Sequence, residues 1–125
     1  MIIDTNALSA WAEAEHELLQ SLAPVSQLVL PIIVVGEYKQ GILRSRHRDQ
    51  LTEWLNTTIR EVRLGLITLA TTDMYARVQL MTRDKGRPIP TNDAWIAALA
   101  LEHDLPVLSR DSHFDAVDGI KRISW

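Results

Sequence analysis

Four carboxylates stand where a folded chain would turn. Asp4 follows the apolar pair Ile2-Ile3, Glu37 lies a few residues behind Val29-Leu30-Pro31, Asp93 heads an almost wholly apolar segment, and Asp111 follows Val107-Leu108. Carboxylates gathered in one crevice repel each other and raise one another's pKa unless a cation sits among them, and a hard divalent ion such as Mg2+ or Mn2+ suits an all-oxygen set. An ion held this way orients a phosphodiester, lowers the pKa of a bound water and stabilises charge on the leaving oxygen. Metal-assisted phosphodiester hydrolysis is therefore the reaction class to expect. The chain has no cysteine, which excludes thiolate ligands, cysteine nucleophiles and disulfides. His16, His47, His103 and His113 fall at no recognisable metal spacing and form no triad with a serine, so none is expected in catalysis.

These acids can meet only if the elements that carry them converge. Ile2-Ile3 reads as a short strand running through the capping turn Asp4-Thr5-Asn6 into a helix from Ala7 to Leu22. Val29-Leu30 reads as a second strand, and Pro31 opens a helix from Ile32 to Arg44. From His47 to Arg63, Leu51, Trp54, Leu55, Ile59 and Val62 recur three or four apart, placing one apolar stripe on a surface helix. Ile67-Thr68-Leu69 reads as a third strand, and Thr72 to Lys85 as a helix stopped by Gly86. Thr91-Asn92-Asp93 reads as the cap of a helix from Ala94 to His103, followed by a strand Leu105–Leu108 and an edge strand within Ile120–Trp125. Strands that alternate with helices specify an α/β fold, here a three-layer α/β/α domain spanning 1–125 with a parallel sheet of four or five short strands. The loops leaving the C-terminal ends of such strands form one crevice. Asp4 and Asp111 fall on those loops, and Glu37 and Asp93 can point toward them.

Composition narrows the setting. Apolar residues make up 46% and charged residues 23%, which suits one folded domain rather than a disordered chain. No apolar run approaches the ~20 residues of a membrane span, and no basic segment precedes an apolar stretch at the start; the expectation is a soluble, cytoplasmic protein. With 13 basic against 16 acidic residues, nucleic acid cannot be held by a broad cationic face. Local groups must do it, either Arg44, Arg46 and Arg48 or Arg83, Lys85 and Arg87, although such clusters are more often solvated helix ends.

Each acid also has a bland explanation. Asp4 and Asp93 sit in triplets that favour helix caps, and Asp111 can begin a turn with no further role. Glu37 can be a solvent-facing helical residue, although it lies in an apolar stretch where an unpaired carboxylate is costly. Asp115 can either reach a metal or cap the turn behind Asp111. A dehalogenase-like phosphatase would need a second acid two residues after Asp4, where the chain has Asn6, and a phospho-acceptor receiver domain would need an acid pair and a lysine that are not in place.

Together, Ile2-Ile3-Asp4-Thr5-Asn6-Ala7-Leu8, Glu37-Tyr38-Lys39-Gln40-Gly41, Asn92-Asp93-Ala94-Trp95-Ile96-Ala97-Ala98 and Leu108-Ser109-Arg110-Asp111 resemble, in order and across nearly the whole chain, the four motifs of PIN-domain proteins. That resemblance implies an acidic quartet of Asp4, Glu37, Asp93 and Asp111, with Asp4, Asp93 and Asp111 nearest a Mg2+ or Mn2+ ion and Glu37 acting through water. It implies that Asn6 and Ser109 brace the site. The chain is most similar to the VapC-type toxins, which implies an endoribonuclease, an RNA substrate, a homodimer and a cognate antitoxin. A catalytically inert PIN scaffold that binds RNA or a partner is the alternative.

Overall fold

The computed structural model describes residues 1–125. Five short strands and six helices alternate along the chain: β1 (Ile2–Ile3), α1 (Thr5–Ala12), α2 (His16–Leu22), β2 (Val29–Pro31), α3 (Ile32–Leu43), α4 (Arg48–Glu61), β3 (Arg63–Gly65), α5 (Leu69–Asp84), α6 (Thr91–His103), β4 (Val107–Leu108) and β5 (Arg122–Ile123), with a 3-10 turn at Ser112–Ala116 before the last strand. Every strand pair is parallel, in the order β3-β2-β1-β4-β5. Right-handed crossovers place α1 to α4 on one face as the chain winds from β1 to β3, and α5 and α6 on the other as it returns across the sheet to β4. The packing follows this division, with α1 on α3, α3 on α4, and α5 along α6. This is the expected three-layer parallel α/β fold.

The central strands β1 and β4 are completely apolar and buried, as strands covered on both faces must be. Against them lies α6, whose segment Ile96-Ala97-Ala98-Leu99-Ala100 is buried on almost every side. Its small alanines let the helix backbone approach the sheet closely. On the other face Trp11 meets Trp54 edge-on at 6.0 Å and Tyr38 meets Trp54 at 5.9 Å, so one aromatic cluster fastens α1, α3 and α4 together.

Several boundaries differ from the sequence expectation. The helix expected from Ala7 to Leu22 is two helices, broken at Ala14, which adopts φ 54°. The Ala14 N–H donates to the Trp11 carbonyl and the Glu15 N–H to the Ala10 carbonyl, a Schellman ending built without glycine. The third strand is Arg63–Gly65, not Ile67–Leu69. Gly65 lies so close to β2 that an added Cβ would stand 3.1 Å from Val29 Cγ1. Thr68 instead starts α5, its N–H donating to Thr71 Oγ1 at 3.0 Å, and this local cap overrides the β-branched propensity of Ile67-Thr68. Pro90 takes the N-cap position of α6, so Thr91-Asn92-Asp93 forms the first turn of the helix. The last two strands are shorter than Leu105–Leu108 and Ile120–Trp125.

Ala14 is exposed and occupies a left-handed conformation that costs an L-residue about 1–2 kcal/mol. Ala14→Gly is expected to raise the melting temperature by about 2–5 °C after allowance for glycine's unfolded-state entropy. Gly86, at φ 66° with open space where a Cβ would stand, supplies the opposite test, since Gly86→Ala should lower the melting temperature by a similar amount. Thermal denaturation followed by circular dichroism measures both; a loss of stability in Ala14→Gly would refute the strain.

Candidate metal centre

The chain proceeds from β1 outward to β2 and β3, and from β4 outward in the opposite direction to β5. Between β1 and β4 the connections diverge, and a crevice opens at the C-terminal ends of those two strands. Asp4 leaves β1 at this point and Ser109-Arg110-Asp111 leaves β4, joined by the ladder bond from the Asp4 N–H to the Leu108 carbonyl at 3.2 Å.

Asp4 is both the N-cap of α1 and the floor of the crevice. Its Oδ1 accepts from the Thr5 N–H at 2.7 Å, while Oδ2 accepts from the Ser109 hydroxyl at 2.6 Å and from Asn6 Nδ2 at 3.1 Å. Asn6 Nδ2 also donates to Ser109 Oγ at 3.1 Å, and Asn6 Oδ1 accepts from the Arg110 N–H at 3.3 Å. Ser109 Oγ in turn accepts from the Asp111 N–H at 2.9 Å. Asn6 and Ser109 thus form a closed bracket that fixes Asp4 relative to the Asp111 loop.

Asp93 is the third residue of α6 and is buried, its carboxylate near the positive end of the helix dipole. Asp111 caps the 3-10 turn through Oδ1, which accepts from the His113 N–H at 2.9 Å. That cap folds the chain back and lays the His113 ring over the acids: its Nδ1 stands 3.0 Å from Asp93 Oδ2 and 3.0 Å from Asp111 Oδ1. Sequence spacing assigned His113 no role. The one signal that could have found it is the Asp-x-His step, because an aspartate that caps a tight turn draws the residue two positions on toward its own carboxylate.

Glu37 comes from the middle of α3. Its Oε1 is wholly buried without a hydrogen-bond partner, as is Thr5 Oγ1, with which it lines a cleft between α1 and α3. An orphaned buried carboxylate oxygen is costly, and a cation or its bound water would satisfy it.

The electrostatics follow from this crowding. Burial raises the Asp4 pKa, with repulsion from Glu37 and Asp111 adding to it against the hydrogen bonds from Ser109 and Thr5. The Asp93 carboxyl is pushed up to about 6, first by burial and further by Asp4 and Asp111, although His113 opposes the rise. His113 is raised, chiefly by its hydrogen bond with Asp93. Oxygen donors from separate elements, mutually repelling and partly unpartnered, are a donor set that fits a hard divalent cation.

Other expected residues lie elsewhere. Asp115 does not join the acids: both its oxygens are held by Arg122 at 2.8 and 2.9 Å, which keeps its pKa low. Arg122 also donates to the Ser109 carbonyl at 3.2 Å, so Asp115 steadies the β4 loop from behind. The charge of Lys85 is engaged by Asp118, which leaves Arg83 and Arg87 as the exposed cations of that group. Arg44, Arg46 and Arg48 are exposed around the α3–α4 corner. Arg110, for which nothing was expected, lies 4.4 Å from the centre of the Trp125 ring and pairs with Glu15.

The chain is similar to known proteins over most of its length. The PIN domain family matches residues 1–120. Ribonuclease VapC5 of Mycobacterium tuberculosis is 30% identical over 122 residues, which cover 94% of this chain and 87% of that protein. Among solved structures, VapBC2 from Rickettsia felis bound to a DNA fragment from its promoter superposes with a TM-score of 0.88 at 19% identity, over 99% of this chain and 97% of that one. VapBC-5 from Mycobacterium tuberculosis, of the VapBC family of toxin-antitoxin systems, does so with a TM-score of 0.78 at 24% identity, over 99% and 97%. These superpositions establish a shared fold.

The raised Asp93 and His113 pKa values fix the sign of a pH effect. Asp93 binds its proton more tightly in the folded state than in the unfolded chain, so the stability it contributes is present below the ordinary aspartate value and is lost as pH rises through about 6. The contribution of His113 is likewise lost as pH rises through its elevated folded value. Metal-free protein is expected to lose stability as pH rises from the ordinary aspartate value of 3.8 through about 6, and further above the ordinary histidine value of 6.5, and added Mn2+ to raise the melting temperature more at the upper end. Asp93→Asn, which removes the charge at nearly constant volume, should flatten that slope and melt no lower than the wild type near pH 8. Thermal melts across this range test the assignment, and a slope that persists unchanged in Asp93→Asn refutes it.

Proposed function

This chain belongs to the PIN-domain family, and from that premise we propose that it is a divalent-metal-dependent endoribonuclease serving as the toxin of a toxin–antitoxin pair. The observation that carries the reading is the convergence of Asp4, Asp93 and Asp111 at the strand switch point, with the orphaned Glu37 oxygen in the adjoining cleft. Ribonuclease VapC5 is similar to it in sequence over most of the chain, and VapBC assemblies share its fold. On this reading the partners are an RNA substrate, a cognate antitoxin and a second copy of the chain, and residues 1–125 act as one catalytic domain. No helix is long and apolar enough to cross a membrane, in keeping with a cytoplasmic protein.

Asp4, Asp93 and Asp111 would hold Mg2+ or Mn2+, with Glu37 acting through water. Such an ion, when bound, would supply Lewis-acid polarisation of a phosphodiester and of an attacking water. The chain's own residues provide the positioning. The Asn6–Ser109 bracket fixes the Asp4 carboxylate in one rotamer, and the Asp111 cap fixes the β4 loop, so the acids are oriented before substrate arrives. The exposed Arg44, Arg46 and Arg48, with Arg83 and Arg87, attract RNA phosphates from a chain whose net charge is -3.

Purified protein freed of antitoxin is expected to cut RNA from a panel of transfer and ribosomal species when Mg2+ or Mn2+ is present, and to stop on addition of EDTA. Outer-sphere partners of metal ligands are worth about 10–100-fold in activity, so Asp4→Asn, which removes a direct ligand, should reduce cleavage by at least that factor. Wild-type turnover in a folded Asp4→Asn variant would refute the quartet. Absence of metal-dependent cutting by the folded wild type would favour an inert RNA- or protein-binding scaffold.

A further inference from the structure

We propose that His113 is a nitrogen ligand of the cation held by Asp93 and Asp111, and that it biases this centre toward Mn2+ over Mg2+. The inference rests on the metal-centre reading above and adds to it a ligand of different chemistry. His113 Nδ1 stands 3.0 Å from Asp93 Oδ2 and 3.0 Å from Asp111 Oδ1, and one donor atom from each of the three residues lies within 4.8 Å of the others. Neighbouring donors in an octahedral shell with bonds of about 2.1 Å are separated by about 3.0 Å. The imidazole nitrogen therefore already sits at an inter-ligand distance from both carboxylates, and an ion binding both of those oxygens finds Nδ1 within reach.

The ring is held there by the local fold. The His113 N–H is tied to Asp111 Oδ1 at 2.9 Å, and the next residue, Phe114, is completely buried and anchors the 3-10 turn in the core. About half of the His113 side chain remains open to solvent, so the second ring nitrogen needs no protein partner. Glu37 Oε1 is buried and unpaired, in the adjoining cleft between α1 and α3. Mg2+ takes oxygen donors, whereas imidazole suits the first-row transition ions. A nitrogen in the shell therefore favours Mn2+ and, more strongly, Co2+ over Mg2+.

The test is pulsed electron paramagnetic resonance of the full chain loaded with Mn2+, which reads a directly bound nitrogen as a 14N coupling to the metal. The coupling is expected in the wild type and in His103→Ala, and is expected to be lost in His113→Ala. Calorimetry on the same proteins should give a Mn2+ affinity lower by about ten- to a hundredfold in His113→Ala, with a much smaller change for Mg2+, so that the preference for Mn2+ collapses. Bound Mn2+ with no 14N coupling in the wild type, or a coupling that persists in His113→Ala, would overturn the ligand assignment, leave the carboxylate centre standing and reduce His113 to an ion-pair partner of the acids. No bound Mn2+ at all would overturn both readings.

Discussion

Negative charge crowded into a partly buried crevice is the constraint on which the rest of this protein depends. Burial raises the cost of ionising Asp4 and Asp93, and their neighbours raise it further. The fold tolerates this because the charges are set at the end of its most apolar elements. β1 and β4 are only two residues each, yet they are buried on both faces, and α6 is packed against them with little exposed surface. The hydrophobic contribution of those segments offsets the electrostatic strain that their ends carry. Charge, burial and topology form a single arrangement, since the switch between β1 and β4 is both the middle of the core and the mouth of the crevice.

Much of this was legible in the sequence where local chemistry and tertiary role coincide. Asp4 is followed by Asn6, and Asp111 preceded by Ser109, so each acid carries half of its bracket beside it in the chain. Asp93 was open to reading as a mere helix cap, and only the company of the other acids pointed it to the crevice. Glu37 was legible because an unpaired carboxylate in the apolar stretch of α3 must have a polar place to go. The failures lie where contacts between elements decide. β3 sits at Arg63–Gly65 because a glycine there fits against Val29, a fact of packing that no property of Arg63 or Leu64 announces. Ala14 ends a helix in the left-handed region without the glycine that would have signalled it. His113 became part of the centre through the geometry of a turn, which histidine spacing along the chain does not encode.

The acids also explain how an acidic protein can serve a polyanion. A net charge of -3 disfavours approach of RNA as a whole. The exposed arginines after α3 and at the end of α5 provide local positive potential, while a divalent ion bound at the centre would cancel part of the negative charge of the acids. On the proposed reading, affinity for RNA and affinity for metal would be linked, because an empty cluster of carboxylates repels a phosphate more strongly than a filled one.

The hydrogen bond from the Asp4 amide to the Leu108 carbonyl places the first acid of the centre inside the sheet ladder itself. Amide protons there exchange with solvent only through openings that separate β1 from β4, and such openings dismantle the core. Asp4 is therefore tied directly to the two strands whose separation dismantles the core. Preorganisation of the carboxylates and global stability are in this respect one property, so a substitution that weakens the β1–β4 contact acts on both together.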